Sequence, residues 1–107
     1  GWLSLETMNA ASRLFESALD AVREQPVLHE RVRRERLPLD LVWLRRYDEL
    51  KETAERGKLE FGGPEDPAAA CLEFIRLSKK HKVGEYRQNH PFSEYEKVLR
   101  RSFKLSE

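Results

Sequence analysis

Nucleophiles, metal ligands and net charge are all scarce in this chain. One cysteine, Cys71, stands among 107 residues, which excludes an internal disulfide and a cysteine-rich metal site. The three histidines, His29, His81 and His90, are scattered without metal-ligand spacing, so no cofactor or metal is expected. Twenty Lys and Arg against nineteen Asp and Glu leave a net charge of +1, and no global field draws the chain toward phosphate backbones or anionic membranes. No apolar run approaches the roughly 20 residues that cross a bilayer, and no basic segment followed by an apolar stretch opens the chain as a secretion signal would. Period-2 alternation, Asn-Gly hairpins and internal repeats are also missing, so sheet content should be near zero.

What the chain has in quantity is charge of both signs, 36% of residues, beside 39% apolar residues. That mixture is rich enough in apolar side chains to fold, with a heavily charged surface. Its length suits one domain, 1–107. Gly1-Trp2 in place of an initiator methionine is what an excised fragment of a larger protein would show. The compartment stays open, because a parent either secreted or cytoplasmic would be compatible with this piece.

Apolar spacing and capping residues lay out four helices. Ser4 is a fair N-cap for a first helix to about Glu24, with Met8, Ala11, Phe15, Ala18 and Val22 as one stripe and Leu14 and Leu19 flanking it. Pro26 suits the first position of a second helix and Gly57 its left-handed cap. Pro38 should kink that helix, yet Leu28, Val32, Leu39, Trp43, Leu50 and Ala54 keep one phase across it, at about 100° per residue. Residues 57–66, GKLEFGGPED, read as the longest loop. Asp66-Pro67 restarts a helix whose stripe is Ala68, Cys71, Leu72 and Ile75, widened by Phe74 and Leu77 and ended by Gly84. Ser93 and Glu96 match a capping box ahead of a last helix lined by Tyr95, Val98, Leu99 and Phe103. The expected fold is therefore all-α: a small antiparallel bundle of helices at about 4–24, 26–56, 67–81 and 94–104, with a long Pro-kinked second helix.

Chemistry-bearing residues weigh in favour of plain structural roles. The clusters Arg33-Arg34-Glu35-Arg36, Arg45-Arg46, Lys79-Lys80-His81-Lys82 and Arg100-Arg101 resemble basic helices of nucleic-acid binders, but each has acids close by and reads as a solvated face. Neither nucleic acid nor membrane is an expected partner. Glu49, Glu52, Glu55, Glu60, Glu65 and Asp66 supply carboxylates, but paired acid–base work needs a rigid cleft that a small helical bundle hardly provides. Cys71 lies on an apolar stripe and is read as a core residue. No residue is assigned a catalytic role. The middle of the second helix is apolar on every side: Leu39, Val42 and Trp43 share the core phase, while Leu37, Leu41 and Leu44 point roughly opposite. Those three leucines are either buried by other helices or form, with Trp2, a candidate interface.

Within Trp2–Leu50, the stretch WLSLETMNAASRLFESALDAVREQPVLHERVRRERLPLDLVWL is similar to the C-terminal helical region of a bacterial domain-of-unknown-function family. The features that carry the likeness are L-F-E-x-A-L-x-A, a short gap ending in proline, and R-V-R-R-x-R-L-P-L-x-x-x-W-L; FIRLSKKHKVGEY fits the family's next helix. Proteins of that family resemble glycoside hydrolases, with kinship to α-glucuronidases and β-N-acetylhexosaminidases, and their implied catalytic machinery lies in an upstream barrel. The resemblance implies a parent in carbohydrate metabolism and, for this piece, a non-catalytic accessory role in which the barrel or a second copy of the chain is the partner. The alternative is a free-standing helical protein–protein interaction module.

Overall fold

The structure, a computed structural model, describes residues 3–81 and 92–105. Those residues are all-helical, and the chain divides into two compact units, Gly1–Pro64 and Glu65–Glu107.

In the first unit Ser4 caps as its sequence suggests: its backbone is extended and its Oγ accepts the Thr7 N–H at 3.1 Å. Helix α1 runs Leu5–Ala21, ending short of Glu24. Its buried residues are Leu5, Met8, Asn9, Ser12 and Leu19, a face rotated by about 80° from the Met8-to-Val22 stripe at 100° per residue. Leu14 is left 73% exposed. The rotation follows from Asn9 and Ser12, polar residues that an apolar pattern leaves out but that are buried with hydrogen-bond partners.

Helix α2 begins with Pro26 in its first turn, as expected, and runs Pro26–Arg45. Pro38 lies inside it without ending it. The single helix expected over 26–56 is instead two, because the chain bends at Arg46 (φ −110°, ψ 20°) before α3, Tyr47–Gly57. The backbone bonds Arg46 N–H to Val42 carbonyl and Leu50 N–H to Arg46 carbonyl carry the register across the bend. The Arg46 side chain fixes it: Nη1 donates to the Leu3 carbonyl at 2.7 Å, while Nε and Nη2 clasp Glu49 at 3.1 and 2.8 Å. That clasp holds the Glu49 carboxyl below its ordinary range, chiefly through the hydrogen bonds. Asp48 and Glu49 then occupy the first turn of α3, where the helix dipole favours them.

The left-handed residue after α3 is Lys58 (φ 53°, ψ 44°), one place beyond Gly57. Gly57 serves differently: a Cβ there would lie 3.1 Å from Leu59 Cδ1, so its bareness makes room for Leu59 to fold back onto the helix end.

Cross-links between Leu3 and Arg46, Ser12 and Trp43, and Glu16 and Arg36 show that α1 and α2 run antiparallel. The core between them and α3 is Leu5, Met8, Trp43, Leu50 and Ala54, with Leu3, Leu39, Val42 and Phe61 packed against it. Each large member contributes about 1.5–3 kcal/mol by leaving water.

In the second unit Asp66 Oδ1 accepts the Ala69 N–H at 3.0 Å and Pro67 opens α4, Pro67–His81. Cys71, Phe74, Ile75, Leu77 and Ser78 are its buried residues, whereas Leu72, expected on that stripe, is 47% exposed. Helix α5, Phe92–Ser102, buries Leu99 and leaves Val98 in solvent. The Gly84 stop lies outside the described residues, and Ser93, expected as the N-cap of a helix over 94–104, falls inside α5, which already begins at Phe92. Glu96 is engaged elsewhere, accepting from Arg100 Nε at 2.8 Å and pairing with Lys79 Nζ of α4 at 3.1 Å.

Burial alone would raise the Glu96 carboxyl, but hydrogen bonds from Arg100 and Lys79 outweigh it and hold the group below its ordinary value of 4.5. A lowered folded-state pKa contributes stability that is present above the unfolded value and is lost as pH falls through the folded one. Glu96→Gln is therefore expected to lower the stability of the chain by about 1 kcal/mol at about pH 7 and by much less at about pH 3, measured by urea denaturation. A deficit of equal size at both pH values would contradict the ion-pair account.

Candidate functional site

The most specific constellation among the described residues gathers α1, α2, α3 and the loop after α3. Asn9 faces the loop with both ends of its amide. Its Nδ2 donates to the Glu60 carbonyl at 2.8 Å and its Oδ1 accepts the Gly62 N–H at 2.7 Å, fifty-odd residues away in sequence. One turn later Ser12 Oγ accepts the Trp43 indole N–H at 2.8 Å, a fully buried pair. Arg13 adds an exposed ion pair to Glu60 at 2.8 Å, of the kind that contributes about 0.2–1 kcal/mol.

The two glycines of the loop are there for closeness of approach, since neither has a positive φ. A Cβ on Gly62 would sit 2.7 Å from Asn9 Oδ1 and 3.3 Å from Asn9 Cα; one on Gly63 would meet Phe61 Cζ at 2.6 Å and Trp43 Cε3 at 2.8 Å. With the loop drawn this close, Phe61 places its ring edge-on to Trp43 (centroids 5.3 Å, 76°) and to Tyr47 (5.5 Å, 81°). Such pairs contribute about 0.5–1.5 kcal/mol beyond area burial. Lys51 Nζ lies 5.5 Å from the Tyr47 and Phe61 centroids and hydrogen-bonds the Tyr47 hydroxyl at 3.2 Å, a cation–π arrangement at the solvent edge. In chemical terms the arrangement is a latch. Its donors and acceptors are spent on the chain's own backbone and on one another.

Of the candidate interface residues, Leu37 is fully buried, Leu44 is 4% exposed and Leu41 is half-buried; Trp2 lies outside the described residues. Leu37 and Leu44 therefore offer little free surface, and truncating a leucine as enclosed as Leu37 would cost about 2–5 kcal/mol. The carboxylates are dispersed over separate partners: Glu49 on Arg46, Glu52 on Arg56, Glu60 on Arg13, and Asp66 on the start of α4. Cys71 is buried, which pushes its thiol up, against the weaker opposing pull of Arg100. Among the described residues no group of three or more His, Cys, Asp or Glu could hold a metal ion, and no helix is long and apolar enough to cross a membrane. His90 lies outside the described residues.

Asn9, Ser12, Phe61, Gly62 and Gly63 carry no motif, and sequence reasoning passed over them as site residues. The available signal was Asn9 and Ser12 in phase with Leu5 and Leu19 on α1, together with an aromatic residue directly before two glycines. No protein-family model matches the chain, and neither the curated proteins nor the solved structures contain a match.

Gly62→Ala is expected to destabilise the first unit by about 1–3 kcal/mol, the cost of forcing a methyl into a well-packed contact. In an Asn9→Ala background the same change should cost clearly less, because its nearest obstacle is gone. A double-mutant cycle by urea denaturation reads the coupling, and strictly additive effects would show that the two residues do not meet as described.

Proposed function

We propose that this chain is a non-catalytic helical accessory module of a glycoside-hydrolase-like protein, supporting a catalytic barrel or its assembly. The observation that carries the reading is the destination of the converging polar groups. Asn9, Ser12, Trp43 and Arg46 aim their hydrogen-bonding atoms at the chain's own loop, helix and N-terminal backbone, which is the use expected of a scaffold. The tie to a barrel rests on the likeness of the Trp2–Leu50 stretch to the family region that follows one. The mechanism is mechanical: a helix pair locked by the loop latch presents a fixed outer surface, and function resides in what that surface holds in place.

The full chain is expected to release no chromophore from a panel of chromogenic glycosides and uronides. Turnover that is abolished by changing a single glutamate would overturn the accessory reading. The genomic sequence upstream of Trp2 tests the link to a parent separately: an encoded barrel supports it, and a start codon at that place contradicts it.

A further inference from the structure

Arg33 of α2 is half-buried and acts on Asp40, and the other arginines of the helix and its end divide into two sets. Arg36 reaches Glu16 at 2.7 Å and Asp40 at 3.0 Å, and Arg46, just past the helix, holds Glu49 and the Leu3 carbonyl. These are structural. Arg31, Arg34 and Arg45 are exposed and have no acid partner among the described residues. At 100° per residue they fall, with Val27 and Pro38, inside a sector of about 60°. Val27 is 79% exposed and Pro38 is exposed. The sector is thus a stripe of apolar–Arg–Arg–apolar–Arg, about 21 Å long from Arg31 to Arg45 at 1.5 Å per residue.

The stripe is narrow because acids stand on both of its edges. Glu35 borders one side and Glu30 the other, each about 40° outside the sector, while Asp40 is on the far side with Arg36. A nucleic-acid duplex or an anionic bilayer is flatter than a helix of about 10 Å diameter and would bring its phosphates nearer to Glu30 and Glu35 than the flanks of a single helix, which curve away from them. Guanidinium groups bind carboxylates in a planar two-point fork, as they do phosphates, so the acids on both edges and not the fork decide for a narrow partner.

We propose that the Val27–Arg31–Arg34–Pro38–Arg45 face of α2 is a docking surface for an acidic helix of another protein. Its partner carries carboxylates opposite Arg31 and Arg34, an apolar side chain against Pro38, and a further carboxylate about 16 Å along its axis, opposite Arg45. The proposal goes beyond the accessory reading and does not depend on what the parent catalyses.

The test uses the full chain and a fluorescein-labelled amphipathic peptide of about twenty residues with repeating Leu-Glu-Glu-Ala, long enough to form a helix. Saturable binding by fluorescence anisotropy is expected, weakening about tenfold or more in the triple variant Arg31→Gln, Arg34→Gln, Arg45→Gln. The variant Arg13→Gln, which removes a cation elsewhere, should bind as the native chain does. All three stripe side chains are in solvent, so the triple variant should keep its far-UV circular dichroism; a fold lost in that variant hands the decision to Arg45→Gln alone, for which a reduced affinity is still expected. Absence of saturable binding, or equal loss in Arg13→Gln, overturns the proposal. So does stripe-dependent binding that is tighter to a DNA duplex or to phosphatidylserine vesicles than to the peptide. A dimer of the chain that dissociates in the triple variant would assign the stripe to a second copy, and that too overturns it.

Discussion

The side-chain amide of Asn9 is the contact on which the first unit depends. It substitutes for a missing secondary-structure partner: the loop after α3 has no strand or helix to bond with, and Asn9 offers one donor and one acceptor to the Glu60 carbonyl and the Gly62 N–H. A backbone left without such partners inside a packed unit would cost about 1–3 kcal/mol per group. Because the amide bonds hold the loop against α1, Gly62 must lack a side chain, Gly63 must lie flat on Trp43, and Phe61 is carried to the edge of both Trp43 and Tyr47. The aromatic cluster in turn closes the core of Leu5, Met8, Leu50 and Ala54. Remove the amide and the remaining interactions are individually modest.

A second polar device, Arg46, sets the geometry that the loop closes over. By gripping Glu49 and the Leu3 carbonyl together it bends the chain between α2 and α3 and ties that bend to the start of α1. Proline is the residue whose ring conflicts with a helix interior, yet α2 passes through Pro38. The cost of one absent N–H bond is local, whereas a forked guanidinium with three bonds to two segments redirects the backbone.

The elements themselves were largely legible. Ser4, Pro26 and Asp66-Pro67 mark starts by capping chemistry that acts within a few residues, and the structure places α1, α2 and α4 accordingly. What was not legible depends on residues distant in sequence. The face of α1 was misjudged because Asn9 and Ser12 are polar, and only contact with Glu60, Gly62 and Trp43 makes their burial favourable. Leu14 and Leu72 match apolar stripes and yet lie in solvent, since periodicity reports a helix's options and packing selects among them. The division at Arg46 hinges on a bond to Leu3 that no local pattern encodes. As for the candidate site, the opposed leucines of α2 were visible as a feature with burial as one of two readings, and Leu37 and Leu44 are enclosed.

Native-state hydrogen exchange at the Gly62 amide, compared between the native chain and Asn9→Ala, tests the latch most directly. The Leu59 amide, which bonds the Ala54 carbonyl at 2.8 Å independently of Asn9, serves as the internal reference. The account predicts that Asn9→Ala lowers protection at Gly62 by about tenfold or more while Leu59 keeps most of its own, a local opening of the loop over an intact helix α3. Unchanged protection at Gly62 in Asn9→Ala would show that the amide does not hold the loop.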